Sequence, residues 1–173
     1  LGKQEIGRIF IALEIDRSVI RAAQDAEADM IITHHPLIFP RGSVDHLISV
    51  DVNQGTIISL IQSGIEVYSA HTCYDAAPGC LNDHLCELLG IQKPKTFAGS
   101  IPRIGRLKEP VCLSEYERTV YKVLGDPIGM IAGGSPEKLI KTVAVCSGSG
   151  GEVWRDALIA GADLFISGEI KHH

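Results

Sequence analysis

Two adjacent histidines directly follow a short apolar run, in the sequence IITHHP at 31–36. In open α/β sheets, ligands bind beyond the carboxyl ends of the strands, so His34 and His35 stand where a metal or substrate site is expected. Adjacent side chains of an extended backbone point to opposite faces. We therefore expect the two imidazoles to serve two ions side by side, or one to ligate an ion while the other supports it. The alternative is that both rings belong to a loop and face solvent.

A second predicted strand end carries the sequence AHTCYD at 70–75. His71 and Asp75 are four residues apart, so one helical turn would place both side chains on one face, whereas an extended path would separate them. Histidine and carboxylate ligands suit Zn²⁺, Fe²⁺ or Mn²⁺, and the residue types do not choose among these metals. Cys73 is either a further ligand or a packed side chain. Together, the two strand ends predict a divalent-metal site.

A glycine-rich segment, SGSGG at 147–151, lies between a predicted strand and a predicted helix. The backbone amides of such a turn can hold an anion at the helix N-terminus. However, no lysine stands in the Walker position, and the spacing is not G-x-G-x-x-G. The segment is therefore either an anion cradle or a tight turn capped by serine.

Strand and helix signals alternate along the first half of the chain and position the two histidine motifs. The pattern predicts strands at 8–13, 29–33 and 65–70 and helices at 16–27, 55–63 and 81–89. Asp16 or Ser18 would cap the first helix. This order predicts an α/β fold of βαβ-type units, with mixed, largely parallel sheets flanked by helices.

The second half of the chain shows a similar alternation. It follows a proline-containing segment at 91–112, which we interpret as a seam, that is, the junction between the two halves. Helices are predicted at 114–124 and 152–160, and strands at 128–132, 142–146 and 163–167. The predicted first half, 1–95, carries both histidine motifs. The second half, 96–173, carries the glycine-rich segment and the sequence SGEIKHH, and we expect it to be truncated relative to a longer protein.

The two halves also resemble each other in sequence. When residues 9–33 are moved forward by 134 positions without a gap, several identical residues coincide. These pairs are Val19 and Val153, Arg21 and Arg155, Ala23 and Ala157, Ala26 and Ala160, Ala28 and Ala162, Asp29 and Asp163, and Ile32 and Ile166. Any two βαβ units share some alanine, valine and isoleucine, but the match favours an internal duplication.

Composition excludes several classes of protein. Lysine and arginine number 16 against 21 acidic residues, for a net charge of −5, which argues against nucleic acid as the main partner. The apolar runs are strand-sized, whereas crossing a membrane takes about 20 apolar residues, so we expect a soluble protein. The five cysteines form no CxxC pair, and their odd number favours reduced thiols in the cytoplasm.

Taken together, the motifs resemble those of the Nif-three-like family (NGG1-interacting factor 3-like), whose members are also called GTP cyclohydrolase 1 type 2 homologues. The similarity rests on ITHHPL at 32–37, on YSAHT and the following aspartate at 68–75, and on GSGG at 148–151. It continues through GAD at 161–163 to SGEIK at 167–171, so it runs in order through essentially the whole chain.

This resemblance implies a duplicated α/β fold, assembly into a toroidal homohexamer and a site for two divalent metal ions per chain. It implies that His34 and His35 are ligands of the two metals and that Asp75 is a carboxylate ligand. His71 would lie close by, as a ligand or as the catalytic group that carries protons. His173 falls at a motif position near the site, and the family's further histidine and glutamate ligands are expected beyond it.

Two departures from the family pattern are present. The chain has Cys73 and Tyr74 where the family usually has Asn-Leu or Asn-Trp, and Cys80 where it usually has glycine. We expect these changes to alter the surroundings of the ligands rather than the ligands themselves.

The sequence therefore predicts a metal-dependent, hydrolase-like protein acting on a nucleotide such as GTP. The competing hypothesis is a non-catalytic scaffold or a transcription-linked interaction protein that contains metal. An open coordination position would distinguish them, because structural metal sites are closed by protein ligands whereas catalytic sites keep a position for water.

Overall fold

The computed structural model describes residues 5–38, 52–125 and 133–171. The chain forms two compact units, Leu1–Tyr74 and Asp75–His173. The predicted strand at 128–132 and His173 lie outside the described residues. Among the helices within these ranges, none combines the length and apolar character needed to cross a membrane.

The first unit contains a three-stranded parallel sheet with the strand order β1-β2-β3. Its elements alternate along the chain as β1 (Ile9–Ala12), α1 (Arg17–Asp25), β2 (Met30–Thr33), α2 (Val52–Ser63) and β3 (Glu66–Ser69). The short helix α3, Thr72–Ala76, follows β3. This alternation confirms the βαβ order predicted for the first half.

Apolar residues on one side of this sheet form the core of the first unit. Ile31 of β2 is fully buried and packs with Ile20 and Ala23 of α1. The start of α1 is fixed by Asp16, whose carboxylate accepts a hydrogen bond of 2.8 Å from the Val19 amide. Of the two predicted caps, Asp16 is therefore the one that the structure uses. The Ser18 hydroxyl donates to the same carboxylate at 2.6 Å.

The second unit is built on a mixed four-stranded sheet with the order β4-β5-β6-β7. The β4/β5 and β5/β6 pairs are antiparallel, and the β6/β7 pair is parallel. The elements are α4 (Leu81–Leu88), β4 (Gln92–Thr96), β5 (Arg103–Cys112), α5 (Leu113–Val123), β6 (Leu139–Cys146), a 3-10 turn (Gly151–Val153), α6 (Trp154–Ile159) and β7 (Leu164–Ser167). The two sheets confirm the predicted α/β class.

The segment at 91–112, interpreted from the sequence as a seam, contains strands β4 and β5 of the second sheet, which the sequence analysis did not predict. Its prolines argue against strands when only the sequence is considered, because proline has no amide hydrogen to donate to a sheet. Pro94 lies on the edge strand β4, where the register shifts between Gln92 and Lys95, and Pro110 lies where β5 shifts against β6. Edge strands and bulges are the places where a sheet tolerates a residue that has no amide hydrogen.

The internal duplication extends to the register of the strands. The β1/β2 pairs run from Ile9–Met30 to Ala12–Thr33, and the β6/β7 pairs run from Val143–Leu164 to Cys146–Ser167, so each pair moves by 134 positions. The helix between the strands occupies 17–25 in one copy, and the 3-10 turn with α6 occupies 151–159 in the other. The two units therefore contain the same β-α-β core.

In each copy of the β-α-β core, an aspartate at an equivalent position accepts hydrogen bonds from two backbone amides. The Asp29 carboxylate accepts from the amides of Gly7 and Arg8, both at 2.9 Å. The Asp163 carboxylate accepts from the amides of Lys141 and Thr142, at 2.9 and 2.8 Å. These hydrogen bonds stabilise the charged carboxylate, so they lower the pKa of Asp163 below its usual 3.8.

We expect the substitution Asp163→Asn to lower the free energy of unfolding by about 1 kcal/mol at neutral pH, because the charge-assisted bonds become neutral ones. A carboxyl with a lowered pKa stabilises the fold above its unfolded value and loses that contribution as it protonates. The difference from the unsubstituted protein should therefore shrink as the pH falls below 3.8.

Urea unfolding at several pH values measures this difference. Asp25→Asn, at the exposed end of α1, is the matched control and should change little. A deficit of Asp163→Asn that stays constant down to acid pH would contradict the proposed role of the charge.

Candidate metal centre

The candidate site of the first unit lies at the carboxyl ends of two adjacent parallel strands. Strand β2 ends at Thr33 and is followed directly by His34 and His35, whereas β3 ends at Ser69, two residues before His71. The Ala70 amide donates to the Thr33 carbonyl at 2.7 Å, which continues the pairing of these two segments beyond the ends of β2 and β3. The sheet itself therefore brings the two histidine motifs together.

The three imidazoles form a compact cluster. The ring centroid of His34 lies 5.1 Å from those of both His35 and His71, and the rings of His35 and His71 are 5.8 Å apart. One ring nitrogen from each residue can be chosen so that all three lie within 4.8 Å of one another. His34 and His71 are half-buried and His35 is exposed, so the cluster remains accessible from solvent.

The expectation that neighbouring histidines point to opposite faces is wrong at this site. It assumed that the chain stays extended after β2, but residues 34 and 35 form a bend. The bend turns both rings toward His71, with an angle of 57° between the planes of the His34 and His35 rings. The two adjacent imidazoles can thus contribute to one ligand cluster.

The Thr33 hydroxyl holds this bend in place. Only 1% of Thr33 is exposed, and its hydroxyl donates to the His35 carbonyl at 2.8 Å. The same oxygen lies 3.0 Å from the Ser69 hydroxyl, at the end of β3. This pair was not predicted from the sequence, although a hydroxyl residue at the last position of an apolar strand is a usable signal. The second copy repeats it, since the Ser167 hydroxyl donates to the Glu169 carbonyl at 3.2 Å.

Glu14 is a second residue that sequence analysis missed. It follows β1, and its carboxylate lies 3.0 Å from Nδ1 of His35. A carboxylate in this position favours the tautomer with a proton on Nδ1, which leaves Nε2 free to bind a metal. No local pattern links Glu14 to His35, because the two residues meet only when β1 pairs with β2.

We expect Glu14→Ala to weaken divalent-metal binding by about 10–100-fold, the usual cost of removing the partner of a metal-ligating histidine. Glu14→Gln should have a smaller effect, because the amide oxygen can still accept from Nδ1–H. Competition titration against a chromophoric chelator measures both affinities. Glu5→Ala provides an exposed glutamate control, and equal affinities for all three variants would show that Glu14 does not orient His35.

Asp75 lies on helix α3, so of the two paths left open after His71 the chain takes the helical one. Asp75 is the first residue of the second unit, and its role as a carboxylate ligand stays a prediction. Its Oδ1 atom is buried. Burial raises the pKa of the Cys146 thiol, and the charge of Asp75 raises it further.

Cys73 has a neighbour outside the imidazole cluster. Its sulfur lies 3.7 Å from the Tyr68 hydroxyl, and this contact and the charge of Cys73 raise the pKa of Tyr68. In the described part of the chain, the group of residues able to share a metal comprises His34, His35 and His71. Cys73 is exposed, so it is not a packed core side chain either.

The glycine-rich segment of the second unit has the geometry of a tight turn. The Gly150 amide donates both to the Gly148 carbonyl and to the Ser167 hydroxyl, each at 3.0 Å. A Cβ atom on Gly150 would lie 2.5 Å from the Cys146 side chain, so only glycine fits at this position. These contacts favour the tight-turn interpretation over an anion cradle.

The chemistry of the three imidazoles fits a divalent transition metal. Imidazole nitrogen is a preferred ligand of Zn²⁺ and also suits Fe²⁺, and a site with three protein ligands leaves a coordination position for water or substrate. The partial solvent exposure of the three histidines is consistent with such a site.

Comparison with known proteins gives consistent matches over the whole chain. The profile of the family described as Duf34/NIF3 (NGG1p interacting factor 3) matches residues 1–173. A GTP cyclohydrolase 1 type 2 homolog of Clostridium perfringens is 36% identical over 179 residues, covering 99% of this chain and 67% of that protein. NGG1-interacting factor 3 of Saccharomyces cerevisiae is 33% identical over 186 residues, covering 96% of this chain and 63% of that protein.

A solved structure shows the same fold. The crystal structure of the Staphylococcus aureus hypothetical protein SA1388 matches with a TM-score of 0.86 and 22% identity, over 100% of this chain and 71% of that one. The chain spans about two thirds of the length of the relatives that it matches.

Proposed function

The chain belongs to the DUF34/NIF3 family, and on that premise we propose that it is a divalent-metal-binding protein that acts as a metal-dependent hydrolase on a nucleotide. The observation that carries the proposal is the cluster of three imidazoles at adjacent strand ends, with ligand nitrogens within 4.8 Å of one another. The open side of the cluster supports catalysis rather than a purely structural metal.

In this proposal, the site holds two divalent ions, either zinc, iron or manganese. His34 and His35 would each bind an ion, and Asp75 would supply a carboxylate. When bound, the metal supplies water of lowered pKa, which provides hydroxide near neutral pH. The further histidine and glutamate ligands that the family resemblance implies would complete the coordination.

The protein's own residues would orient the ligands and carry protons. Glu14 holds the His35 ring through Nδ1, and the Thr33 hydroxyl fixes the backbone carbonyl of His35. The half-buried His71, next to both rings, would bind metal or transfer a proton to the leaving group. The exposed side of the cluster at His35 leaves room for a substrate to approach.

GTP is the first substrate to test, because several relatives carry the name GTP cyclohydrolase 1 type 2 homolog. The second candidate function is a metal-containing scaffold or interaction protein, which the name of the yeast relative favours.

We also propose that the protein is a cytoplasmic homo-oligomer, and a toroidal hexamer in particular. An apolar face of the first sheet supports self-association, because Ile11 on β1 is 77% exposed and Tyr68 on β3 is 53% exposed. Parallel sheets normally have both faces covered.

Elemental analysis of the full-length protein, purified without a tag or chelator, tests the metal part of the proposal. A content near two metal ions per chain is expected. A content near zero that does not rise on adding Zn²⁺, Mn²⁺ or Fe²⁺ would overturn the metal site. Chromatographic and mass-spectrometric assays of the metal-loaded protein with GTP and other nucleotides then test catalysis. Full metal content without turnover of any nucleotide would favour the scaffold function.

A further inference from the structure

A cleft in the second unit is lined by a concentration of positive charge that contrasts with the charge of the whole chain. Its volume is about 570 Å³, and it lies over strands β4, β5 and β6 beside the end of α6. Five cationic residues line it, namely Lys93, Lys95, Arg106, Lys108 and Lys141. Within the described ranges its lining contains no aspartate or glutamate, although the chain has a net charge of −5.

The sheet arranges these cations on a surface that more than one anionic group can reach. Arg106 and Lys108 are two residues apart on β5, and Arg106 pairs in register with Gln92 of β4 and Thr142 of β6. Adjacent strands lie about 4.8 Å apart, and side chains two residues apart on a strand share a face. Lys141 is held at the cleft by its Nζ atom, which donates to the Lys108 carbonyl at 2.6 Å.

One carboxylate hydrogen-bonded to residues of the cleft lining is already engaged. The Asp163 carboxylate accepts from the amides of Lys141 and Thr142. The described residues that line the cleft nevertheless carry charge of one sign only, and such a cleft concentrates ligands of the opposite sign.

We propose that this cleft binds a polyphosphate chain, either free or as part of a nucleotide. The volume is that of a small-molecule site. The described lining has no aromatic side chain on which a base could stack, so we expect recognition of the phosphates rather than the base. The proposal concerns the second unit alone and does not depend on the proposed metal function.

Titration calorimetry of the full chain with inorganic tripolyphosphate, in the presence of EDTA, tests this proposal without the metal site. A nucleoside triphosphate forms the second arm and is expected to bind with similar affinity. The double variant Lys95→Gln/Arg106→Gln should bind tripolyphosphate at least about tenfold more weakly, and its affinity should depend less on salt. The matched control Arg118→Gln/Lys122→Gln removes the same charge from the exposed face of α5 and should bind normally.

Thermal unfolding checks that both variants fold, which is expected because all four substituted side chains are exposed. Absence of tripolyphosphate binding at low salt would overturn the proposal, as would equal affinities of the two double variants. Binding of the nucleotide more than about tenfold tighter than tripolyphosphate would overturn recognition by phosphate alone. Binding of a single-stranded oligonucleotide without binding of tripolyphosphate would identify a nucleic-acid surface instead.

Discussion

Replacing His34 with alanine is expected to weaken divalent-metal binding more than any other single substitution in the first unit. His34 is the central ring of the cluster, with its centroid 5.1 Å from the rings of both His35 and His71. Removing the partner of a ligating histidine costs about 10–100-fold in affinity, so the loss of a ligand itself should cost more than about 100-fold. Chelator competition with Zn²⁺ measures this loss.

His84→Ala is the matched control, because His84 is an exposed histidine on α4 that lies 3.5 Å from Glu87. The thermal midpoint gives an independent measure, since a ligand that binds only the folded state raises it. Zn²⁺ should raise the midpoint of the unsubstituted protein and of His84→Ala, but not that of His34→Ala. If His34→Ala binds Zn²⁺ with unchanged affinity, the imidazole cluster is not the metal site.

Replacing Arg103 with alanine is expected to produce the largest loss of stability in the second unit. Only 3% of the Arg103 side chain is exposed, and Nε lies 2.6 Å from the Asp83 carboxylate. The remaining guanidinium nitrogens donate to three backbone carbonyls, those of Ser100, Ile101 and Ala76. The side chain thus joins α4, the start of β5 and the end of α3.

Removing one partner of a buried ion pair costs about 3–5 kcal/mol, and the 23% exposure of the Asp83 side chain places the expected loss near the lower limit, at about 3 kcal/mol. Urea unfolding at neutral pH measures this loss. Arg118→Ala, at an exposed position on α5, is the control and should change the stability little. A loss as small as that of the control would show that Arg103 does not hold these segments together.

The pH dependence provides a second test of the Arg103–Asp83 pair. The hydrogen bond from Arg103 is the main cause that lowers the pKa of Asp83 below 3.8. The pair therefore stabilises the fold above that pH, and the contribution is lost as the pH falls and Asp83 protonates. The stability gap between the unsubstituted protein and Arg103→Ala should narrow in acid. A gap that is independent of pH would assign the effect to packing and to the hydrogen bonds from Arg103 to the backbone carbonyls, because neither depends on the charge of Asp83.

Most of the elements could be predicted from the sequence because their signals are local. The apolar runs before His34 and before His71 are strands, and Asp16 caps α1 as one of the two predicted caps. The 134-residue offset between the halves reappears in the register of β1/β2 and β6/β7. Composition and periodicity carry this information because helix and strand formation depend on neighbouring residues.

The sequence by itself thus determined the α/β class, the repeated β-α-β core and the placing of the histidines at strand ends. Only the tertiary structure decided how the histidines meet, because the bend after β2 and the Thr33–Ser69 contact turn three rings toward one another. It also decided that Glu14 reaches His35 and that 91–112 forms two strands. These features arise from backbone pairing between segments that are distant in the sequence. Such pairing does not change the local hydrophobic pattern of either segment, so that pattern cannot predict it.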